Sequence, residues 1–249
     1  MSDGDRGGSG TGTSGGTGGG RGGRGGGASR GRPRSFDRDA ALAAATRLFW
    51  ERGYGATSVG ELTEAMGIRP GSLYAAFGDK RSLFEESVRA YGRSPVGAFM
   101  GNALEEEPTA YGAFARILRE AAEIYCDPSH PAGCLTITAA TNIAPQDAEV
   151  AAFLRDLRNA NITAWEARLR AAQREGELPA YVDVRVLAGY FAMVIQGMSQ
   201  RSRDGAGRAE LAGIAELALA AWPGGGPSAK PAGESAAGAT REPSAGAAS

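Results

Sequence analysis

Four side chains of the kinds that bind transition-metal ions lie close together in the middle of the chain. They are Cys126, Asp127, His130 and Cys134. Thiolate, imidazole and carboxylate are the ligands that zinc takes in proteins, so the cluster raises the question of a metal site. One helix would align residues spaced by four, but Pro128, Pro131 and Gly133 interrupt any helix through this segment. With a single histidine in 249 residues, we predict no metal site.

The sequence supports a catalytic site no better than it supports a metal site. No nucleophile, general base and orienting residue stand out as a catalytic set. Runs similar to the phosphate-binding pattern Gly-x-Gly-x-x-Gly occur only before residue 34, in glycine-rich sequence rather than between a strand and a helix. We therefore predict that the protein is not an enzyme and needs no cofactor.

Residues 58–77 predict two short helices joined by a tight turn. Ser58 and Glu61 form the Ser-x-x-Glu capping box that begins a helix. The apolar positions that follow at helical spacing are Val59, Leu62 and Met66. Gly67 suits the left-handed residue that closes a helix. The sequence thus predicts one short amphipathic helix that ends at about residue 66.

The second helix of this stretch predicts a surface for DNA. Pro70 suits a first helical position, where its missing amide costs nothing. The residues that give this helix a buried face are Leu73, Ala76 and Phe77. Ser72, Tyr74 and Ala75 are left pointing outward, near the positive end of the helix dipole. We read the pair as a helix-turn-helix whose second helix fits a DNA groove.

Both ends of the chain differ in composition from the part between them. Residues 1–33 hold 16 of the 39 glycines, with arginines spaced among them, and residues 223–249 are rich in Gly, Ala, Ser and Pro. Such segments cannot bury enough apolar surface to offset chain entropy, so we predict a disordered arm and a disordered tail. The arm up to residue 36 carries six arginines against two aspartates, whereas residues 37–92 carry seven basic and eight acidic side chains. Attraction to phosphates must therefore come from the arm and a few placed side chains.

The rest of the chain reads as helical throughout, which predicts an all-α fold. A short helix is expected over residues 133–142 and a long one over 147–175. The last two helices are strongly apolar, and they carry the stripe of Leu187, Phe191 and Ile195 and the stripe of Leu211, Ala215 and Trp222. They either pack within their own core or pair with a second copy, and we favour a homodimer because they offer apolar side chains on more than one face.

Two cysteines are too few for a disulfide scaffold, and the sequence has no secretory segment and no apolar run long enough to span a bilayer. We therefore expect a cytoplasmic protein without a membrane partner.

The sequence from Ala44 to Phe84 resembles the N-terminal domain of TetR/AcrR-type transcriptional repressors. The similarity is carried by Gly53-Tyr54, Ala56-Thr57-Ser58-Val59, Ala65-Met66-Gly67-Ile68, Gly71-Ser72-Leu73-Tyr74, Phe77-Gly78-Asp79-Lys80 and Leu83-Phe84. The resemblance implies a homodimer that binds double-stranded palindromic operator DNA and releases it when a small-molecule effector enters the C-terminal helices. The positions it implies for DNA contact are Thr57, Ser58, Arg69, Pro70, Gly71, Ser72, Tyr74 and Lys80.

The sequence departs from the family pattern at the reading helix. Arg69 replaces the small hydroxyl residue that often precedes this helix, which weakens the cap and offers DNA a cation. Ala75 and Ala76 replace a bulky pair, so Arg69, Ser72 and Tyr74 must carry more of the specificity.

A second, shorter resemblance concerns a cysteine. Gly133-Cys134-Leu135 is similar to a motif in one branch of these repressors, which includes sensors of electrophiles or oxidants. The resemblance makes Cys134 a candidate redox sensor. The alternative is a small apolar side chain that packs at the start of a helix.

Together these observations predict an arm over residues 1–33, a DNA-binding domain over 34–95, a ligand-binding and dimerisation domain over 96–222 and a tail over 223–249. The predicted function is sequence-specific DNA binding, as a repressor released by a small-molecule or redox signal. Two alternatives stay open: a nucleic-acid-associated protein that acts through the Gly/Arg arm, and a helical small-molecule-binding protein. The sequence does not identify the ligand-binding residues.

Overall fold

The computed structural model describes residues 36–139 and 144–224, and within these two ranges the chain is helical, without strands. The first five helices are α1 (Arg38–Arg52), α2 (Val59–Ala65), α3 (Pro70–Phe77), α4 (Lys80–Arg93) and α5 (Pro95–Glu106). The others are α6 (Ala110–Ile124), α7 (Leu135–Thr138), α8 (Ala148–Arg174), α9 (Val184–Arg203) and α10 (Arg208–Ala220). A short 3₁₀ helix spans Pro145–Asp147. The all-α prediction is confirmed, and the predicted arm and tail lie outside the described residues, apart from Pro223 and Gly224.

The helix expected over residues 133–142 is shorter than predicted. Gly133 has a left-handed backbone with φ of 78°, and Cys134 is extended, so α7 begins only at Leu135. It ends at Thr138, and the last three residues of the predicted helix lie outside the described ranges. The prediction took the start of this helix from apolar composition. In the structure the left-handed backbone of Gly133 prevents the helix from beginning before Leu135.

The first four helices share an aromatic core. Phe49 of α1 meets the ring of Phe84 of α4 edge to face, with ring centres 5.0 Å apart, and Tyr54 lies 5.1 Å from the same ring. Leu62 of α2 and Leu73 of α3 have no exposed surface, so both short helices are anchored in this core. A helix of seven or eight residues is marginal on its own, and this packing is what holds α2 and α3 in place.

Arg38 at the start of α1 ties three helices together. Its guanidinium forms two hydrogen bonds with the Glu86 carboxylate of α4, at 2.6 and 2.7 Å. It also donates to the carbonyl oxygen of Ala76 at 3.3 Å and lies 4.4 Å from the centre of the Phe77 ring. Both of these groups belong to the last turn of α3, so Arg38 fixes the angle at which α3 leaves the core.

We expect this ion pair to make stability depend on acid pH. The hydrogen bonds from Arg38 lower the pKa of Glu86 below its ordinary value. Its contribution is therefore fully present above the unfolded-state pKa and is lost as pH falls through the lower folded-state pKa. A paired carboxylate of this partial exposure stabilises by about 1 kcal/mol. Glu86→Gln should cost that amount in urea unfolding at pH 7 and almost nothing near pH 3.

The exposed pair of Arg47 and Glu51, within α1, provides the control for this experiment. Glu51→Gln should change stability little at either pH, because an exposed ion pair contributes little. An equal cost of Glu86→Gln at both pH values would show that the carboxylate charge of Glu86 does not act through Arg38.

The C-terminal helices surround α6. The Phe114 ring of α6 lies 5.5 Å from Trp165 of α8, 4.9 Å from Phe191 of α9 and 5.6 Å from Trp222, which follows α10. All four side chains are buried. One aromatic cluster thus joins the elements that enclose the C-terminal body.

The helix α4 belongs to both parts of the fold. It packs on α1 through the Arg38–Glu86 pair, and it meets α8 through an ion pair between Arg81 and Glu149. The Arg89 guanidinium also lies 5.2 Å from the centre of the Phe153 ring of α8. A displacement of α8 or α5 would therefore also move α4, the helix on which α1 packs.

In the two described ranges, no helix combines the length and the apolar composition that crossing a membrane requires.

Candidate nucleic-acid interface

The helix α2 begins with the predicted capping box. The Ser58 hydroxyl accepts a hydrogen bond from the Glu61 amide at 3.2 Å, and the Glu61 carboxylate accepts one from the Ser58 amide at 2.8 Å. The Ser58 hydroxyl also donates to this carboxylate at 2.7 Å, and the bonds that the Ser58 amide and hydroxyl donate lower the pKa of Glu61. The cap fixes the first residue of α2, which confirms the start predicted from the sequence.

The turn between α2 and α3 has the predicted glycine closure. Gly67 has φ of 64°, a conformation in which a side chain would be strained. The amide of Ile68 then donates to the carbonyl oxygen of Thr63 at 3.0 Å, and the Ile68 side chain packs against the core. The chain therefore turns over the four residues between α2 and α3 and delivers α3 at a fixed angle.

The helix α3 turns one face to the core and the other to solvent. Leu73 and Phe77 are buried, as their spacing predicts. Tyr74 is 52% exposed, which is unusual for an aromatic side chain in this fold. The exposed residues beside it are Arg69, Pro70, Gly71 and Ala75. The Arg69 side chain forms no cap hydrogen bond, Pro70 has no N–H, and the Ser72 amide donates to the Arg69 carbonyl oxygen at 2.9 Å.

Among the predicted contacts, Thr57 and Ser72 are less accessible than Tyr74. Thr57 is 1% exposed, and its hydroxyl donates to the carbonyl oxygen of Gly53 at 2.8 Å. Its neighbour Ser58 is exposed, whereas Ser72 is half-buried. The structure thus brings Ser58, Arg69 and Tyr74 to the surface around α2 and α3 and turns the Thr57 hydroxyl toward the backbone.

Lys80, the first residue of α4, has a more specific environment than its sequence position indicated. Its ammonium lies 4.2 Å from the centre of the Tyr54 ring. Partial burial lowers the pKa of Lys80, and the carboxylates of Asp147 and Glu61 act in the opposite direction. The cation is therefore held over an aromatic face rather than free to sample solvent.

Sequence reasoning missed two contacts that orient this interface. Arg38 holds the last turn of α3, and Tyr54 holds Lys80. The partners are 38 and 26 positions apart, so no local pattern marks them. Arg38 follows Asp37, whose carboxylate accepts hydrogen bonds from the Asp39 and Ala40 amides and caps α1, and this position alone does not identify its partners.

The structure does not bring Cys126, Asp127, His130 and Cys134 together as a metal site. Among the described residues, no three His, Cys, Asp or Glu side chains lie close enough to hold an ion. His130 stacks on Trp50 instead, with ring centres 4.7 Å apart, and both cysteines are free thiols. Cys126 directs its thiol to the carbonyl oxygen of Ala206 at 3.5 Å.

Cys134 lies in the wall of a cavity. The side chain is 1% exposed, and its sulfur accepts a hydrogen bond from the Tyr91 hydroxyl at 3.4 Å and lies 3.2 Å from the Thr136 hydroxyl. A cavity of about 440 Å³ opens between α4, α5, α7 and α8, and these residues line it together with Met100 and Asn161. Its size suits a small organic molecule.

The last two helices expose apolar surface. On α9, Val186 and Met193 are 68% and 67% exposed at a spacing of seven, and on α10 Leu217 is 76% exposed. Gly197 and Gly213 lie on the same outward faces, with nothing near the position of an added Cβ atom. The outward faces of α9 and α10 can therefore pack closely against the same two helices of a second copy, which is the contact that a homodimer requires.

An exposed helix-turn-helix, a cavity among the C-terminal helices and an apolar face on the last two helices define a DNA-binding regulator. Residues 41–87 match the family described as bacterial regulatory proteins, tetR family. The repressor ComR of Escherichia coli (strain K12) is 36% identical over 193 residues, which cover 78% of this chain and 92% of that protein. The repressor BdcR of the same organism is 30% identical, covering 76% and 90%.

Solved structures agree with the sequence relatives. The TetR family regulator CifR, in a cysteine mutant complexed with 26-bp double-strand operator DNA, superposes with a TM-score of 0.74 at 39% identity. The match covers 78% of this chain and all of that one. The chain therefore belongs to the TetR family, whose members are DNA-binding regulators rather than enzymes.

Proposed function

We propose that the protein is a homodimeric repressor that binds a palindromic operator through α3 and releases it when a small molecule enters the cavity beside Cys134. The observation that carries the proposal is the outward face of α3, where Tyr74 stands exposed beside Arg69 on a helix whose other face is locked in the core. An aromatic side chain left in solvent on a recognition helix is suited to contact with DNA.

The DNA-contacting residues have distinct parts in this proposal. Arg69, Ser72 and Tyr74 would read base edges, with Pro70 and Gly71 allowing the helix start to approach the groove. Lys80 would fix the register on a phosphate, since Tyr54 already orients its ammonium. Ser58 would contact the DNA backbone by redirecting its hydroxyl from the Glu61 carboxylate, to which it donates at 2.7 Å, while the buried Thr57 holds the entry to α2.

The proposal also divides the chain into two domains with separate functions. Residues 34–95 would form the DNA-binding domain, with its helix-turn-helix at 58–77, and residues 96–222 would bind the effector and form the dimer. The cavity would couple the two domains, because Val88 and Tyr91 of α4 line it as well as residues of α5, α7 and α8. A molecule in the cavity would press on α4 and change the separation of the two recognition helices.

Selection from random double-stranded DNA tests the proposal. We expect the full-length protein to enrich two inverted half-sites at fixed spacing, because a symmetric dimer presents two equivalent reading helices. A protein that lacks residues 1–33 should enrich the same sequence with lower affinity, since the arginines removed supply non-specific attraction.

Loss of all binding on removal of residues 1–33 would instead identify the Gly/Arg arm as the working part. Enrichment of no sequence by either protein would favour a helical small-molecule-binding protein that retains the helix-turn-helix without using it.

A further inference from the structure

A second, smaller cavity continues the first. It has a volume of about 30 Å³ and shares Met100, Thr136 and Asn161 with the larger one, so the two meet at these residues. The side chains that line the smaller cavity from α8 and α9 are mainly apolar: Ile162, Trp165, Ala192 and Ile195. The joined space therefore has an apolar end and a more polar end.

Arg158 of α8 is the charged side chain of the smaller cavity, and it contacts Thr136, one of the residues that join the two cavities. It is half-buried and lines the smaller cavity, and its Nη1 donates to the carbonyl oxygen of Thr136 at 3.2 Å. Burial lowers the pKa of this guanidinium, and the charge interaction with Cys134 acts in the opposite direction. Arg158 is thus a partly desolvated positive charge whose hydrogen bond to the protein goes to a neutral carbonyl oxygen.

Two other half-buried arginines of the described residues are neutralised, whereas a third, Arg168, donates to the carbonyl oxygens of Glu107 and Pro108. Arg38 pairs with Glu86, and Arg116 pairs with carboxylates including that of Glu120. Within the two described ranges, no carboxylate lies within ion-pair distance of Arg158. The four residues between those ranges, Ala-Thr-Asn-Ile, contain no acid either. A partly buried cation without a protein anion is costly, and an anionic ligand would remove that cost.

The surroundings narrow the class of anion. Arg158 is the half-buried charged side chain of the joined space, whereas Arg89, Arg93 and Glu105 line the larger cavity as exposed side chains. Asn161 and Thr136 add neutral hydrogen-bonding groups beside Arg158, and the wall from α8 and α9 is mainly apolar. A planar guanidinium pairs with a carboxylate through two parallel hydrogen bonds and needs no second cation. A phosphate would bring about two negative charges to one arginine. The site therefore suits a carboxylate that carries an apolar chain.

We propose that Arg158 is the anion-binding residue of the effector cavity, and that the effector is a small amphiphilic carboxylate whose chain lies along Met100 and Ile162. This inference rests on the proposed function, because it names the ligand class for the same cavity. The carboxylate would compete with the Thr136 carbonyl for the guanidinium and so act on α7, which lies between α4 and α8.

Calorimetric titration of the full-length protein, without DNA, tests the inference with three probes of equal chain length. These are octanoate, octanol and octylamine. We expect octanoate to bind at least about ten times more tightly than the other two, since only its head group pairs with Arg158. Arg158→Gln should weaken octanoate about tenfold or more and leave octanol unchanged, whereas Arg158→Lys should retain part of the preference.

The neighbouring Arg155 gives the matched control. It is exposed on the same helix and pairs with Asp156, so Arg155→Gln should bind octanoate as the wild type does. Octanol binding as tightly as octanoate to the wild type, or full octanoate affinity in Arg158→Gln, would overturn the inference. The comparison of probes on the wild type decides the question even if Arg158→Gln does not fold.

Two further measurements separate this inference from the proposed function. If octanoate binds through Arg158 but does not release labelled operator, the anion site stands and the proposed trigger is wrong. The rival role for Arg158 is to support the Cys134 thiol. In that case Arg158→Gln would slow alkylation of Cys134 by iodoacetamide, measured against Cys134→Ser, and would leave octanoate binding unchanged.

Discussion

Replacing Tyr74 or Arg69 by alanine is expected to weaken operator binding by at least about 30-fold without lowering the thermal unfolding midpoint. A base contact of this kind contributes roughly 1–3 kcal/mol, and a dimer loses it in both half-sites. Neither side chain belongs to the core: Tyr74 is 52% exposed, and Arg69 precedes α3 without capping it. Substitutions at such positions usually change stability by less than about 0.5 kcal/mol.

Tyr181→Ala and Arg174→Ala are the matched controls for this experiment. Tyr181 is 83% exposed, and Arg174 is exposed at the end of α8. These substitutions therefore remove one tyrosine and one arginine side chain from positions outside the helix-turn-helix. Fluorescence anisotropy with labelled operator at fixed salt gives the affinities. Wild-type affinity in both Tyr74→Ala and Arg69→Ala would show that α3 is not the reading surface.

An aspartate at Met193 is expected to dissociate the dimer and, with it, to abolish operator binding at working concentrations. Met193 is 67% exposed in the single chain, at the centre of the outward face of α9. Burial of such a side chain stabilises by about 1.5–3 kcal/mol, and both copies lose it while two carboxylates are brought together. We expect the dimer dissociation constant to rise by about 1000-fold.

Light scattering after size-exclusion chromatography measures the mass directly. Leu217→Asp on α10 should behave like Met193→Asp, whereas Ala164→Asp, at an exposed position of α8, should leave the mass of a dimer. A dimeric Met193→Asp protein would place the interface elsewhere. A monomer that still bound operator with wild-type affinity would show that operator recognition does not require the dimer.

The parts of this fold that local chemistry determines were predictable from the sequence. The capping box at Ser58, the left-handed Gly67 and the proline start of α3 each depend on residues within four positions, and the structure has all three. The same holds for Asp79, whose carboxylate accepts a hydrogen bond from the Ser82 amide and caps α4.

The contacts that orient the site depend on residues distant in the sequence, which periodicity does not pair. The Arg38 contacts with α3 and α4 and the Arg158 contact with Thr136 join residues 22 to 48 positions apart. Each involves an arginine whose local pattern is that of an ordinary exposed side chain. The burial that distinguishes them arises only when the helices pack, so only the structure identifies them.

The position of α4 in both halves of the fold has a thermodynamic consequence. The helix that supports α1 also lines the cavity. Under the proposed function, ligand and operator would therefore act on one equilibrium between two positions of α4. The factor by which ligand weakens operator binding must then equal the factor by which operator weakens ligand binding. A genome rich in operator copies would therefore lower the ligand sensitivity of its own repressor.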